Sequence, residues 1–188
     1  MNRQWVVVSG LPASGKSTLA RALSPRLALP LLDKDDILEA LFDSLGVEGT
    51  DERRRLSRAS DTVLRRLCET SPSAVVTSFW RHPNGPAGSG TPVDWLSGSA
   101  GSVVEVFCHC PPAVAAGRFT DRRRHAGHGD VGKAPGEVLE QFETLAALGP
   151  LGIGPLLRVD TSGEVDADQV AASVARLLPD SLAATGAR

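Results

Sequence analysis

The stretch GLPASGKST, from Gly10 to Thr18, decides the fold of this chain. It matches the phosphate-loop pattern G-x-x-x-x-G-K-[ST] at Gly10, Gly15, Lys16 and Ser17. An apolar run, WVVVS, precedes it and a helix-like segment, LARAL, follows it, which is the context that the pattern requires. The stretch therefore predicts a loop that wraps a bound phosphate group between a strand and a helix.

The residue types of this loop suit a nucleotide with its magnesium ion. Glycines let consecutive backbone N–H groups face inward, the positive end of the next helix points at the same place, and Lys16 adds a full charge. We expect ATP to be bound by Gly10, Pro12, Ala13, Ser14, Gly15, Lys16, Ser17 and Thr18. The hydroxyl of Ser17 is the expected Mg²⁺ ligand. The motif leaves open whether the phosphate is transferred, hydrolysed or only bound.

Composition limits the classes of protein to consider. The chain has 188 residues, 41% hydrophobic and 22% charged, which fits one globular domain with a substantial core. No apolar run approaches the roughly 20 residues that span a bilayer, and neither a signal peptide nor a disulfide framework is indicated, so we expect a cytoplasmic protein. The formal charge of −2 disfavours a nucleic-acid partner.

Strand-like and helix-like segments alternate along the chain. Short apolar, β-branched runs predict strands at Trp5–Ser9, Leu29–Leu32, Ala74–Phe79, Val103–Cys108 and Leu156–Val159. Helices are predicted at Lys16–Leu27, Asp35–Leu45, Asp51–Glu69, Pro112–His125, Pro135–Leu148 and Asp166–Leu178. With the phosphate loop, this alternation predicts a three-layer α/β/α P-loop NTPase fold around a five-stranded, mostly parallel sheet.

The expected domain organisation is simple. Residues 1–180 are predicted to form a single domain, and residues 181–188, which are small and polar, a flexible tail. The segment Ala126–Gly136 contains several glycines and prolines and follows a basic stretch, so we expect a lid at about residues 118–136. A lid would exclude water, which competes with any other phosphoryl acceptor.

Three carboxylates follow the second predicted strand in LLDKDDI, at Asp33, Asp35 and Asp36. Phosphoryl transfer to an alcohol needs a carboxylate that accepts the proton of the hydroxyl beside the γ-phosphate. The alternative is that Asp35 or Asp36 caps the helix that follows. Further along, Arg118 and Arg122 are four residues apart in a predicted helix, so they would lie on one face, and a solvated basic helix is the alternative reading.

The motifs GLPASGKSTLARAL and LLDKDDI resemble those of the small P-loop kinases with an adenylate-kinase-like core. That AAA-type group includes chloramphenicol phosphotransferase, gluconate and shikimate kinases, zeta toxins and polynucleotide 5′-kinase domains. The resemblance implies that Asp35 is the catalytic base, with Asp33 as second choice. It also implies that Arg118 packs on the adenine and that Arg122 reaches the phosphates, where Lys16 and Arg122 stabilise the transferring group.

The third predicted strand departs from the P-loop pattern because it ends in Thr77, Ser78, Phe79 and Trp80 without an acid. Magnesium would then rest on Ser17, ATP oxygens and water, with Asp33 or Asp35 in an outer position. In a chain with 4% aromatic residues and no Tyr, Phe79 and Trp80 suggest a wall for a substrate ring, with Arg81 supplying charge. Core packing is the alternative for both aromatic residues.

These features favour an ATP-dependent kinase that phosphorylates a hydroxyl of a small molecule such as an antibiotic, a sugar or a related metabolite. A polynucleotide or nucleotide kinase and a regulatory nucleotide-binding module without transfer are the alternatives. The charge balance disfavours the first alternative. The second would need neither Asp35 nor the arginine pair. The motifs favour neither ATP over GTP nor any oligomeric state.

Overall fold

The computed structural model describes residues 3–88, 90–99, 101–129 and 134–178. Its strands are β1 (Gln4–Gly10), β2 (Leu31–Asp33), β3 (Ser73–Thr77), β4 (Ser102–His109) and β5 (Leu156–Asp160). Its helices are α1 (Lys16–Arg26), α2 (Lys34–Leu45), α3 (Gly49–Thr70), α4 (Asp94–Ser99), α5 (Pro112–Asp121), α6 (Pro135–Ala146) and α7 (Ala167–Leu177), with a short 3-10 turn at Ala126–His128.

The five strands form one parallel sheet in the order β2-β3-β1-β4-β5. Their β-branched runs are buried on both faces, as expected for parallel strands covered by helices. The register pairs Val8 with Thr77 and Thr77 with Asp33, so the carboxyl ends of β1, β3 and β2 meet at one edge. The predicted fold class is confirmed, and this edge carries the phosphate loop.

Side-chain alternation divides the core between the two faces of the sheet. On one face, Val6 and Val8 pack with Leu23 of α1 and Val174 of α7. On the other face, Trp5 and Val7 pack with residues of α3 and α4, among them Leu64 and Leu96. Trp5 meets Trp95 edge-on with ring centroids 5.6 Å apart. A separate apolar cluster joins α5 and α6, where Phe119 and Phe142 contact each other.

Several predicted boundaries are wrong for identifiable reasons. Strand β2 starts at Leu31 rather than at Leu29, because Pro30 has no N–H to donate and only its carbonyl joins the sheet, accepting from the amide of Val75 at 2.9 Å. Strand β3 ends at Thr77 because Ser78 leaves the ladder to bond the hydroxyl of Thr91 at 2.5 Å. The short helix α4 was not predicted.

The predicted helix from Pro112 to His125 is also too long, since α5 ends at Asp121. The chain then runs extended from Arg122, whose backbone has φ −72° and ψ 142°. Within the predicted lid, residues 130–133 lie outside the described residues, and so does the predicted tail at 181–188. Among the described helices, none combines the length and the apolar character needed to cross a membrane.

Candidate active site

The phosphate loop between β1 and α1 has the backbone that its glycines make possible. Gly10 has φ +133°, and a Cβ there would collide with the carbonyl oxygen of Cys108 on the neighbouring strand. Gly15 has φ +92° and precedes α1 without any side-chain cap on the helix. Ala13 also adopts a positive φ of 57°, which costs energy in a residue with a Cβ. The loop is thus held in a curled form with an uncapped helix start behind it.

Lys16 lies inside this loop and is buried. Its ammonium donates a 2.6 Å hydrogen bond to the carbonyl of Leu11, which also accepts from the amide of Ser14 at 3.2 Å. Burial lowers the pKa of Lys16 to about 8, although the negative charge of Asp35 acts in the opposite direction. A bound phosphate would supply the negative charge that this buried cation favours.

Asp33 connects the end of β2 to the phosphate loop. Its side chain is 1% exposed, and it accepts hydrogen bonds from the hydroxyl of Ser17 and from the amide of Asp35 at 3.0 Å. Asp33 is therefore the N-cap of α2, and the alternative reading, in which Asp35 or Asp36 caps this helix, is wrong, because the helix begins one residue earlier than predicted. Burial raises the pKa of Asp33, while the hydrogen bond from Ser17 acts to lower it.

Asp35 lies in the first turn of α2 with its side chain 41% exposed. Its Oδ2 accepts a hydrogen bond and ion pair from the Nη2 of Arg124. Its other oxygen, Oδ1, accepts no hydrogen bond from the residues that the structure describes. The charge of Asp35 also acts on Lys16, so the structure brings the predicted base and the predicted phosphate-binding lysine together.

Residues after α5 close over α2 through several contacts that sequence reasoning missed. His125 Nε2 lies 3.0 Å from Asp43 Oδ1, and His128 Nε2 lies 2.8 Å from Glu39 Oε1. The ring of Phe42 stacks on His125 and meets His128 edge-on, at centroid distances of 5.4 and 5.6 Å. Gly127 lies directly over that ring, because a Cβ there would come within 2.5 Å of Phe42 Cδ2. The described part of the predicted lid is in contact with α2.

The two arginines predicted to share a helix face do not share one. Arg118 is in α5, and its two terminal nitrogens donate to the carbonyls of Thr161 (2.8 Å) and Ser162 (2.7 Å) in the turn after β5. Arg122 lies beyond the helix, with its guanidinium 4.5 Å from the centre of the Phe119 ring. Its charge nonetheless acts on Lys16, so Arg122 lies in the neighbourhood of the phosphate loop, on extended backbone rather than on the helix.

Phe79, Trp80 and Arg81 follow β3 in the chain and lie apart from the aspartates. Trp80 is 5% exposed, donates from Nε1 to the carbonyl of Val8 at 3.0 Å and packs beside Trp95. All three line a cavity of about 270 Å³ to which neither Asp33 nor Asp35 contributes. The structure therefore does not bring the four predicted substrate-binding residues into one pocket.

The residues at this edge of the sheet fit a magnesium nucleotide. The hydroxyl of Ser14 is buried without a hydrogen-bond partner among the described residues, inside the loop whose helix start is uncapped. The hydroxyl of Ser17 and the carboxylate of Asp33 are hydrogen-bonded to each other, and Mg²⁺ prefers oxygen ligands of these kinds. Thr18 is exposed in the first turn of α1, whereas Pro12 and Ala13 are half-buried in the loop.

Two buried groups of the site region were not found from sequence. Lys34 bonds the hydroxyl of Ser57 at 2.9 Å and pairs with Asp61 at 3.2 Å, which ties the start of α2 to α3. Glu105 is fully buried in β4 and accepts from the hydroxyl of Ser9 at 2.6 Å. A glutamate within the apolar run VVEVFC was a usable signal for the second of these.

The sheet is parallel in the order β2-β3-β1-β4-β5, its central strand β1 leads into a phosphate loop, and two aspartates lie at the end of the edge strand β2. These features define a P-loop kinase fold. Residues 6–147 match the family described as an AAA domain, and the chain belongs to that family. No curated protein matches the chain.

Solved structures of kinases have the same fold. A protein from Chloroflexus aurantiacus J-10-fl, assigned as a kinase without a named substrate, has 27% identity and a TM-score of 0.79 over 95% of this chain and 100% of its own. A gluconokinase from Sinorhizobium meliloti 1021 has 23% identity and a TM-score of 0.61, with 93% of both chains covered. A shikimate kinase from Acinetobacter baumannii has 14% identity and a TM-score of 0.57, covering 93% of this chain and 92% of its own.

Proposed function

We propose that this protein is a kinase that transfers the γ-phosphoryl group of ATP to a hydroxyl group of a small molecule. The observation that carries the proposal is the placement of two aspartates against the phosphate loop. Asp33 accepts a hydrogen bond from Ser17, and Asp35 lies close enough to Lys16 for their charges to interact. A module that only binds nucleotide has no need of a second, half-exposed carboxylate at this point.

The nucleotide would be held by the loop from Gly10 to Thr18. Inward N–H groups, the uncapped start of α1 and the buried ammonium of Lys16 would bind the phosphates. Arg118 would border the adenine, since it already fixes the turn after β5 through two carbonyl oxygens. Arg122 would place a second charge beside Lys16 and stabilise negative charge on the transferring group.

Magnesium would be held by Ser17, with Asp33 in an outer position through water. When bound, the ion would supply positive charge against the β- and γ-phosphate oxygens. Two hydrogen bonds of the Asp33 carboxylate would support this arrangement. One accepts from the hydroxyl of Ser17 and orients it, and the other accepts from the amide of Asp35 and fixes the start of α2.

Asp35 would act on the acceptor. Arg124 occupies Oδ2 and leaves Oδ1 to accept the proton of an incoming hydroxyl while the oxygen of that hydroxyl bonds to the γ-phosphorus. The bond from phosphorus to the bridging oxygen of ADP breaks in the same transfer. Contacts of His125 and His128 with α2 would keep water away from this reaction.

The acceptor class is inferred from the fold neighbours and from the composition. The neighbours include a gluconokinase and a shikimate kinase, and from them we infer a small hydroxylated acceptor such as an antibiotic, a sugar or a related metabolite. Formal charge of −2 favours such a molecule over a polynucleotide.

The test is a screen of hydroxylated metabolites and antibiotics with γ-labelled ATP and Mg²⁺, with labelled organic product separated from labelled inorganic phosphate. We expect label in one chemical class of acceptor and none with Lys16→Met, because that variant lacks the phosphate-binding charge. Tight ATP binding without label in any product, at full protein stability, would instead indicate a regulatory binding module.

A further inference from the structure

A buried polar network begins at the first residue of α2. Lys34 lies between Asp33 and Asp35 in the chain and is 8% exposed. Its ammonium donates a hydrogen bond to the hydroxyl of Ser57 at 2.9 Å and forms an ion pair with Oδ1 of Asp61 at 3.2 Å. Both partners are on α3. The residue that joins the two aspartates of the proposed active site is therefore held to the neighbouring helix by its side chain.

Lysine is an unfavourable residue for this position on grounds of stability. The amino end of a helix carries partial positive charge and favours carboxylates, and Asp35 and Asp36 in the first turn of α2 follow that rule. Removal of an ammonium from water is also unfavourable, and apolar residues of similar size often replace a buried ion pair without loss of stability. The geometry that the ion pair imposes therefore explains Lys34 better than a gain in stability does.

The network continues from Asp61 to the segment after β3. Oδ1 of Asp61 also accepts a hydrogen bond from the hydroxyl of Thr91 at 2.7 Å. The hydroxyl oxygens of Thr91 and Ser78 are 2.5 Å apart. Because a hydroxyl has a single proton and Thr91 donates its proton to Asp61, Ser78 is the donor to Thr91. One carboxylate thus connects the start of α2 with α3 and with the end of β3.

The far end of the network is fixed by the backbone. The amide of Thr91 donates to the carbonyl of Phe79 at 2.8 Å, and the carbonyl of Thr91 accepts from the amide of Arg81 at 2.8 Å. Gly90 has φ +81°, and a Cβ there would lie 2.8 Å from the carbonyl oxygen of Phe79. Thr91 is fully buried. Asp61 is therefore bonded to a closely packed part of the fold, which lets it hold Lys34 in one place.

Asp35 is held directly from two sides. Its amide donates to Oδ1 of Asp33 at 3.0 Å, and its Oδ2 accepts from Arg124. Lys34 adds a third constraint, because it precedes Asp35 in the same helical turn and its side chain fixes that turn against α3. Misplacement of a reacting group by about 1 Å can lower a rate by about 100-fold. Small movements of this turn would therefore matter for proton transfer to Asp35.

We propose that Lys34 and Asp61 are positioning residues for phosphoryl transfer, which hold the carboxylate of Asp35 where the acceptor hydroxyl can donate its proton. The proposal rests on the proposed function, in which Asp35 is the base. Both residues act through the backbone of α2 rather than on the reacting atoms. Loss of their ion pair would let the first turn of α2 move relative to α3, and Asp35 would then be misplaced for the acceptor.

The test is a double-mutant cycle between Lys34→Met and Asp35→Asn. Methionine keeps an unbranched side chain without the ammonium. With Asp35 present, we expect Lys34→Met to lower the kcat for the acceptor found by the labelled-ATP screen by about 10- to 100-fold. In the Asp35→Asn background the same change should lower kcat by less than about twofold, because no base is left to misplace. The loss in Tm should be the same in both backgrounds.

A second variant separates positioning from stability. Lys34→Met leaves the charge of Asp61 unpaired, whereas Lys34→Met combined with Asp61→Asn removes both charges and should recover much of the lost Tm. The kcat should stay low in this combined variant, because the link between α2 and α3 is still absent. Val174→Ala is the matched control, since Val174 is fully buried in α7 against the opposite face of the sheet. It should lower Tm and keep the kcat of the wild-type protein.

Three results would overturn the positioning role alone. They are a kcat for Lys34→Met within about twofold of wild type, an equal loss of kcat with and without Asp35, and recovery of kcat together with Tm in the combined variant. A fourth result, an unchanged kcat in Asp35→Asn itself, would refute Asp35 as the base and would overturn the positioning role with it. The failure of the proposed function is thus distinguished from the failure of this inference.

Discussion

Replacement of Asp35 by asparagine separates catalysis from stability more cleanly than any other change in this site. Asn keeps the size of the side chain but cannot take the proton of the acceptor. We expect kcat to fall by about 10²–10⁴, which corresponds to about 3–5 kcal/mol of transition-state stabilisation. The KM for ATP should stay within a few-fold, because Asp35 does not belong to the phosphate loop.

The effect on stability should be small. The ion pair with Arg124 involves a side chain that is 41% exposed, and pairs of this kind contribute about 0–1 kcal/mol. For a chain of this length that amounts to a change in Tm of about 4 °C or less. The loss of activity would therefore have no explanation in unfolding.

Asp36→Asn is the matched control. Asp36 lies beside Asp35 in the same turn, pairs with Arg21 at 2.7 Å, and has its side chain 57% exposed. The Asp36→Asn variant should lose about as much stability as Asp35→Asn and should keep the kcat of the wild-type protein. The assay is steady-state phosphorylation of the acceptor found by the labelled-ATP screen, together with thermal unfolding of both variants. A kcat for Asp35→Asn within about threefold of wild type, or an equal loss in Asp36→Asn, would refute the assignment of the base.

Three further predictions concern charge and packing. Because burial lowers the pKa of Lys16 to about 8, the free protein loses this charge as the pH rises, and the affinity for ATP should fall by up to about tenfold per pH unit above 8. Titration calorimetry from pH 7 to 9.5 checks this, and Lys16→Arg should show no such fall. Trp80→Phe removes the donor to the Val8 carbonyl and should cost about 2 kcal/mol, lowering Tm by about 4–8 °C; an unchanged Tm would contradict the packing described for this indole. His128 faces Arg124 and Asp35 as well as Glu39, and burial lowers its pKa. The neutral ring is thus favoured in contact with α2, and this contact should weaken as the pH falls below about 6.5. Its NMR titration midpoint should lie below 6.5 and should fall further in Glu39→Gln, whereas a midpoint above 6.5 would contradict the effect of burial.

The sheet and the phosphate loop were predictable from sequence because both depend on local pattern. Runs such as WVVVS are short, apolar and β-branched, which favours a buried parallel strand. The loop from Gly10 to Thr18 has glycine at Gly10 and Gly15, two positions where its backbone has a positive φ. The carboxylates after β2 were also found, since chemistry in parallel sheets collects at the carboxyl ends of strands.

The contacts between the lid and α2 were not predictable in the same way. The residues from Arg122 to His125 are compatible with a continued helix, so the local sequence does not show that α5 ends at Asp121. The residues that hold this segment in its extended form are far away in the sequence. Arg124 is 89 residues from Asp35, and so is His128 from Glu39. Such long-range pairs hold the segment after α5 against α2, and the local periodicity of the sequence does not predict them. For the same reason, Arg122 is on extended backbone rather than on the predicted helix.

The measurement that tests the central claim most directly is the fate of the γ-phosphoryl group. Protein, γ-labelled ATP and Mg²⁺ are incubated with and without each candidate acceptor, and label is followed into organic product and into inorganic phosphate. We predict label on an acceptor hydroxyl, slow release of inorganic phosphate without acceptor, and loss of the labelled product in Asp35→Asn. Rapid hydrolysis of ATP in the absence of any acceptor, at a rate that Asp35→Asn leaves unchanged, would contradict it.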